Sequence, residues 1–227
     1  MRDCKDPLVP ESRRRIFVLD DHPITRYGLT ELINREPDLQ VCGEEGDAQA
    51  ALAWLKTVHP DLVLADITMP GKSGLDFLKD LRAMCPSVPV LVMSMHDESL
   101  YAERVLRAGG RGYIMKSEGG EKLLEAVREV LRGKVYVSPR MSELILENLA
   151  RPERSTEVRP SALSDREYEV FQLLGQGLST REIGERLNVS RKTVETHRLH
   201  IKGKLKIRTG PELIKEAVRW AASQQLV

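Results

Sequence analysis

Five short apolar runs, Ile16 to Leu19, Leu39 to Gly43, Leu62 to Asp66, Val88 to Ser94 and Gly112 to Met115, alternate with longer stretches of helical period. The helical stretches fall at about His22 to Asn34, Asp47 to His59, Ser73 to Met84, Glu98 to Ala108 and Glu118 to Arg132. No other feature narrows the possible folds so far. A strand followed each time by a helix implies a parallel sheet covered on both faces, because every parallel connection needs a crossover. The expected fold is therefore α/β, a doubly wound five-stranded parallel sheet. Residues Ala150 to Ser161, "ARPERSTEVRPS", are polar and proline-flanked and have no period, which reads as a linker, and only helical patterns follow. The spacing predicts one domain over residues 14–133, a partly helical linker over 134–161 and a smaller all-α domain over 162–227. A chain of 227 residues is long enough to give each domain its own core.

In an open α/β sheet, ligands bind outside the carboxyl ends of the strands. The first run ends in Asp20-Asp21, the third in Asp66, the fourth in Ser94, and Lys116 follows the fifth. Three carboxylates, a hydroxyl and an ammonium should thus meet on one rim. Clustered carboxylates repel one another unless a cation joins them, and a small oxygen site with room for water suits Mg²⁺. Asp21 and Asp66 are the expected direct ligands, with Asp20 holding a metal-bound water. Cys4, Cys42 and Cys85 form neither a CxxC pair nor a disulfide framework, so reduced thiols and no zinc site are expected. No apolar run approaches the ~20 residues needed to span a bilayer, and "MRDCKDPLVPESRRR" lacks the apolar core of a signal peptide. The expectation is a cytoplasmic protein without membrane contact.

Charge is distributed unevenly. From Pro160 onward the chain has 12 Lys and Arg against 8 Asp and Glu, whereas the residues before it have 23 against 26. Between Arg191 and Arg208 seven basic residues (Arg191, Lys192, Arg198, Lys202, Lys204, Lys206 and Arg208) face one acid, Glu195. Such a stripe can be a solvated face or a nucleic-acid footprint. The stretch Leu163 to Leu205 divides into three helical segments. Ser164 with Glu167 and Ser179 with Glu182 form capping boxes, and Ser190 precedes the third segment. Val170, Leu173, Leu174, Leu178, Ile183, Leu187, Val189, Val194, Ile201 and Leu205 fit a small shared core. The short break at Asn188-Val189 gives helix-turn-helix geometry, with the third segment as recognition helix.

The set "VLDDHP", "DLVLADITMPGKSGLDFL", "VLVMSMHD" and "GYIMKS" resembles the receiver domain of two-component response regulators, a flavodoxin-like fold. The resemblance implies that Asp66 accepts a phosphoryl group from a sensor histidine kinase. It implies that Asp20 and Asp21, with Asp66 and the Thr68 main-chain carbonyl, hold Mg²⁺. Lys116 would pair with the phosphoryl group, Ser94 would be the switch hydroxyl and Tyr113 the switch aromatic. The chain has Lys116-Ser117 where many receivers have Lys-Pro. Haloacid dehalogenase phosphatases also use an Asp nucleophile, but they need a second Asp two residues on, and this chain has Asp66-Ile67-Thr68. The implied output is a packing switch, not an enzymatic reaction.

"LSDREYEVFQLLGQGLSTREIGERLNVSRKTVETH" resembles the LuxR-type DNA-binding domain that ends NarL/FixJ response regulators, with the helix-turn-helix at about Leu178 to His197. On this resemblance Lys192, Thr193 and His197 contact phosphates, while Glu195, Thr196 and Leu199 lie where bases are approached. The implied protein is a DNA-binding transcriptional regulator switched at Asp66, with a sensor histidine kinase and double-stranded DNA as partners. A single helix-turn-helix unit reads one half-site, so an active homodimer is expected. The rival is a receiver that acts mainly through protein contacts.

Overall fold

The computed structural model describes residues 13–67, 69, 74–95, 98–150, 163–187 and 189–225. The chain divides into two compact units, one ending at Ser138 and the other taking in the chain from Pro139 onward. In the first unit the strands are β1 (Arg14–Leu19), β2 (Leu39–Glu45), β3 (Leu62–Asp66), β4 (Val90–Ser94) and β5 (Gly112–Met115). Between and after them run α1 (Pro23–Asn34), α2 (Ala48–Val58), α3 (Gly74–Met84), α4 (Glu98–Arg107) and α5 (Gly120–Leu131). The five strands form one sheet in the order β2-β1-β3-β4-β5, every pair parallel. All five residues of β3 and of β4 are buried, as a sheet covered on both faces requires.

The pleat sorts the core into two layers. Ile16, Val18, Leu62, Leu64, Leu91, Met93 and Ile114 pack with Leu29 and Ile33 of α1 and Leu123, Val127 and Val130 of α5. The alternate strand residues Phe17, Leu19, Val63, Ala65 and Val92 point the opposite way, toward the layer to which α2, α3 and α4 contribute buried Leu55, Phe77, Leu81 and Val105. At ~25 cal/mol per Å² of apolar surface, such side chains contribute about 1.5–3 kcal/mol each when fully buried. Strand order reverses between β1 and β3, which opens a crevice at their carboxyl ends. Residues 134–138 include Tyr136, which pairs with Gly112 at the free edge of β5.

The second unit holds α6 (Pro139–Ala150), α7 (Asp165–Gly175), α8 (Thr180–Arg186), α9 (Arg191–Lys204) and α10 (Gly210–Gln225). Both capping boxes form. Ser164 N–H donates to Glu167 Oε2 at 2.7 Å and Ser179 N–H to Glu182 Oε2 at 2.8 Å, with the serine hydroxyls accepting in return. Ser190 Oγ accepts from Thr193 N–H at 3.1 Å and starts α9. Val170, Leu173, Leu174, Ile183, Val194 and Ile201 are buried as the apolar pattern predicts, whereas Leu178, Leu187, Val189 and Leu205 are only partly covered. Phe171, Leu213 and Ala217 complete the core, and Trp220 packs edge-on against Tyr168 with ring centroids 5.5 Å apart. Among the described residues no helix is long and apolar enough to cross a membrane.

Candidate functional site

Chain geometry carries four polar side chains to one end of the sheet. Asp20 follows β1, Asp66 closes β3, Ser94 closes β4 and Lys116 follows β5. Asp20, Asp66 and Ser94 are buried, and Lys116 is 12% exposed. The Lys116 ammonium donates to Asp20 Oδ2 at 2.6 Å and to Asp66 Oδ2 at 2.7 Å, although these residues lie 96 and 50 positions away. Burial works against the ammonium, but its hydrogen bonds to Asp20 and Asp66 outweigh that effect and hold its pKa above the ordinary lysine value.

The turn after β1 is braced on several sides. Asp20 Oδ1 accepts from His22 N–H at 2.8 Å, the Asp20 carbonyl accepts from Arg26 at 2.7 Å, and Asp20 N–H donates to Glu45 O at 3.1 Å. Asp20, Asp21, His22 and Asp66 each bring one donor atom into a set whose members all lie within 4.8 Å of one another. Three carboxylates and one ammonium leave a formal charge of −2, which a single divalent cation neutralises. Asp21 Oδ1 is buried without a hydrogen bond. The donor set therefore fits a small divalent ion that keeps some of its water. Thr68, expected to offer its carbonyl, lies outside the described residues. Tyr113 is fully buried beneath this rim. His22 also enters the cluster, and its place directly after Asp20-Asp21 is the one sign of this that the sequence carries.

In the second unit α9 presents Lys192, Glu195, Thr196 and Leu199 to solvent, and Leu199 is 62% exposed despite being apolar. Thr193 is partly covered, and its hydroxyl lies 2.7 Å from Ser190 Oγ at the helix start. Thr196 Oγ1 donates back to Lys192 O at 3.0 Å. His197 is half-buried; Nδ1 is enclosed without a hydrogen bond, and burial followed by the nearby Arg166 charge pushes its pKa down. Three basic residues of the stripe have partners inside the unit, Arg191 among them, which donates to Glu195 Oε1 at 3.2 Å. Lys204 donates to buried Glu167 at 2.6 Å, and Arg198 donates to Thr180 Oγ1 at 2.6 Å. The outward positive charge of α9 is correspondingly smaller than its basic count, with Lys192 and Arg191 nearest its amino end.

Comparison with known proteins agrees with both units. Residues 16–128 match the response regulator receiver domain, and residues 161–217 match the bacterial regulatory proteins of the luxR family. The chain is 35% identical over 210 residues to oxygen regulatory protein NreC of Staphylococcus carnosus (strain TM300), covering 90% of this chain and 97% of that one. It is 32% identical over 225 residues to transcriptional regulatory protein DegU of Brevibacillus brevis, covering 93% and 95%. Among solved structures, a LuxR-family two-component response regulator from Aurantimonas sp. SI85-9A1 superposes with a TM-score of 0.57 at 34% identity, over 62% of this chain and all of that one. With a receiver unit and a helix-turn-helix unit both matched, and relatives aligned over 90% or more of its length, the chain belongs to the NarL/FixJ family of DNA-binding transcriptional response regulators.

Proposed function

We propose that Asp66 is the phosphoryl acceptor of this regulator, charged by the phosphohistidine of a sensor kinase, and that the phosphorylated form binds operator DNA as a homodimer in the cytoplasm. The observation that carries the reading is the ammonium of Lys116 held between Asp20 and Asp66 at the mouth of the sheet. An Asp66 carboxylate oxygen attacks phosphorus, the phosphorus–nitrogen bond breaks, and the imidazole leaves with the electron pair and takes up a proton. Charge develops on the phosphoryl oxygens, so positioning and cationic clamping are most of the catalysis. Lys116 supplies one cation. Asp20, Asp21 and Asp66 would hold Mg²⁺, which would supply the other by neutralising phosphoryl oxygens; Thr68, the remaining expected ligand, lies outside the described residues. The site's formal charge of −2 and the unbonded Asp21 oxygen support that assignment.

The product carries roughly −2 of charge and three acceptor oxygens. Ser94, at the end of the adjacent strand, donates to it, and Tyr113 on the next strand repacks in response, altering the surface around α4, β5 and α5. On α9, Lys192, Thr193 and His197 are the phosphate contacts, while Glu195, Thr196 and Leu199 approach base edges. Leu213 and Ala217 of α10 pack inward, while Ile214 and Val218 stay exposed for the contact with a second copy. The experiment is labelling with a radiolabelled phosphodonor in the presence of Mg²⁺. Wild type takes up label and Asp66→Asn does not, with an unchanged circular dichroism spectrum. Equal label on the variant would overturn the assignment.

A further inference from the structure

His22 has no part in the scheme above, yet its ring is not placed as a capping residue. It occupies the N-cap of α1, where a side-chain oxygen ordinarily accepts a first-turn amide, and makes no such bond. The imidazole turns instead onto the carboxylates. Nδ1 lies 2.9 Å from Asp21 Oδ1 and 3.3 Å from Asp20 Oδ1. Asp21 Oδ1 is buried and, in spite of that short separation, receives no properly directed hydrogen bond. Asp20 is already engaged, with one oxygen on the His22 amide and the other on Lys116. One imidazole nitrogen and the Asp21 oxygen that lacks a hydrogen bond thus meet beside a buried Asp66, in a set spanning no more than 4.8 Å.

We propose that His22 Nδ1 is a ligand at this metal site and biases it toward first-row transition cations over Mg²⁺. The inference rests on the metal-site reading given above and adds to it the class of cation. Mg²⁺ takes oxygen donors and gives up water reluctantly, so an imidazole does little for it. Neutral imidazole nitrogen is a good donor to first-row transition cations such as Co²⁺, Ni²⁺ and Zn²⁺. Coordination uses the Nδ1 lone pair, with the ring proton on Nε2. The side chain is 64% exposed, so the ring reaches the cation from the solvent side without disturbing the core.

The test is a titration of the full chain with Co²⁺, followed by its visible absorption bands, and competition with Mg²⁺. The Co²⁺ to Mg²⁺ affinity ratio of wild type should exceed that of His22→Ala by about tenfold or more, the scale on which single groups around metals act. The Co²⁺ bands should move toward those of an all-oxygen site in His22→Ala and in His22→Gln. If ratio and bands are the same in wild type and both variants, His22 is not a ligand and the all-carboxylate site stands. If neither cation binds wild type in a manner lost in Asp66→Asn, the metal-site reading fails as well.

Discussion

Lys116 serves two purposes with one charge. It offsets part of the charge of two buried carboxylates, Asp20 and Asp66, and in the scheme proposed for Asp66 the same ammonium would face the phosphoryl oxygens. Removing one partner from a buried ion pair ordinarily costs about 3–5 kcal/mol because the remaining charge is left uncompensated. Lys116→Ala should therefore lower receiver stability by about 3 kcal/mol in metal-free buffer, and millimolar Mg²⁺ should restore most of that loss by taking over the neutralisation. Urea unfolding with and without Mg²⁺ reads both effects. A variant as stable as wild type without metal would show that the Lys116 contacts with Asp20 and Asp66 carry little energy.

At the scale of elements, two glycines of the helix-turn-helix unit should respond oppositely to the same change. A Cβ on Gly203 in α9 meets nothing within 4 Å, so Gly203→Ala should stabilise the unit by about 0.5–1 kcal/mol through helix propensity alone. A Cβ on Gly175, at the end of α7, would lie 2.5 Å from the Ala217 carbonyl oxygen of α10, and Gly175→Ala should cost about 1–3 kcal/mol by forcing those helices apart. Thermal unfolding of the two variants should move in opposite directions. Glu167 ties α7 to α9 through Lys204. Burial opposes its charge, but the Lys204 and Ser164 hydrogen bonds prevail and hold its pKa below the usual 4.5. A depressed carboxylate pKa gives stability that is complete above the unfolded value and is lost as pH falls through the folded one. Wild type should lose stability below about pH 4.5 more steeply than Glu167→Gln; parallel acid profiles would remove the tie from the account.

The five strands were legible because buried parallel strands read as continuous apolar runs. Their ends were less so. β1 begins at Arg14 and β2 continues to Glu45, because Arg14 pairs with Leu39 and Leu19 with Glu45 through backbone groups that polar edge residues do not advertise. β4 starts at Val90 and not at Val88, since Pro89 has no N–H and offers only its carbonyl, to Val63. In the second unit both α9 and α10 pack against α7, which widens its buried face to include Phe171 and brings in Leu213 and Ala217. Convergence of Asp20, Asp66, Ser94 and Lys116 was readable from strand ends alone. The orientation of the His22 ring and the inward ties of Lys204 and Arg198 were not, because a charge count cannot say which side chains are already committed.

For the whole molecule the proposed function requires that chemistry at Asp66 govern DNA binding by a unit encoded almost a hundred residues further on. If regulation removes an obstacle, the fragment 160–227 binds DNA without phosphorylation whereas the full chain needs it. If regulation instead brings two receivers together, the fragment binds weakly throughout and the phosphorylated full chain gains affinity by pairing half-sites. Both routes share one requirement, which a single measurement addresses. Using DNA selected from a random pool, fluorescence anisotropy at one fixed salt concentration should give the affinity of the full chain with Mg²⁺, with and without acetyl phosphate, for wild type and Asp66→Asn. The phosphodonor should tighten wild-type binding by about tenfold or more, a coupling of about 1.4 kcal/mol, and leave Asp66→Asn unchanged. Equal affinity of wild type in both conditions, or an equal gain in Asp66→Asn, would contradict that requirement.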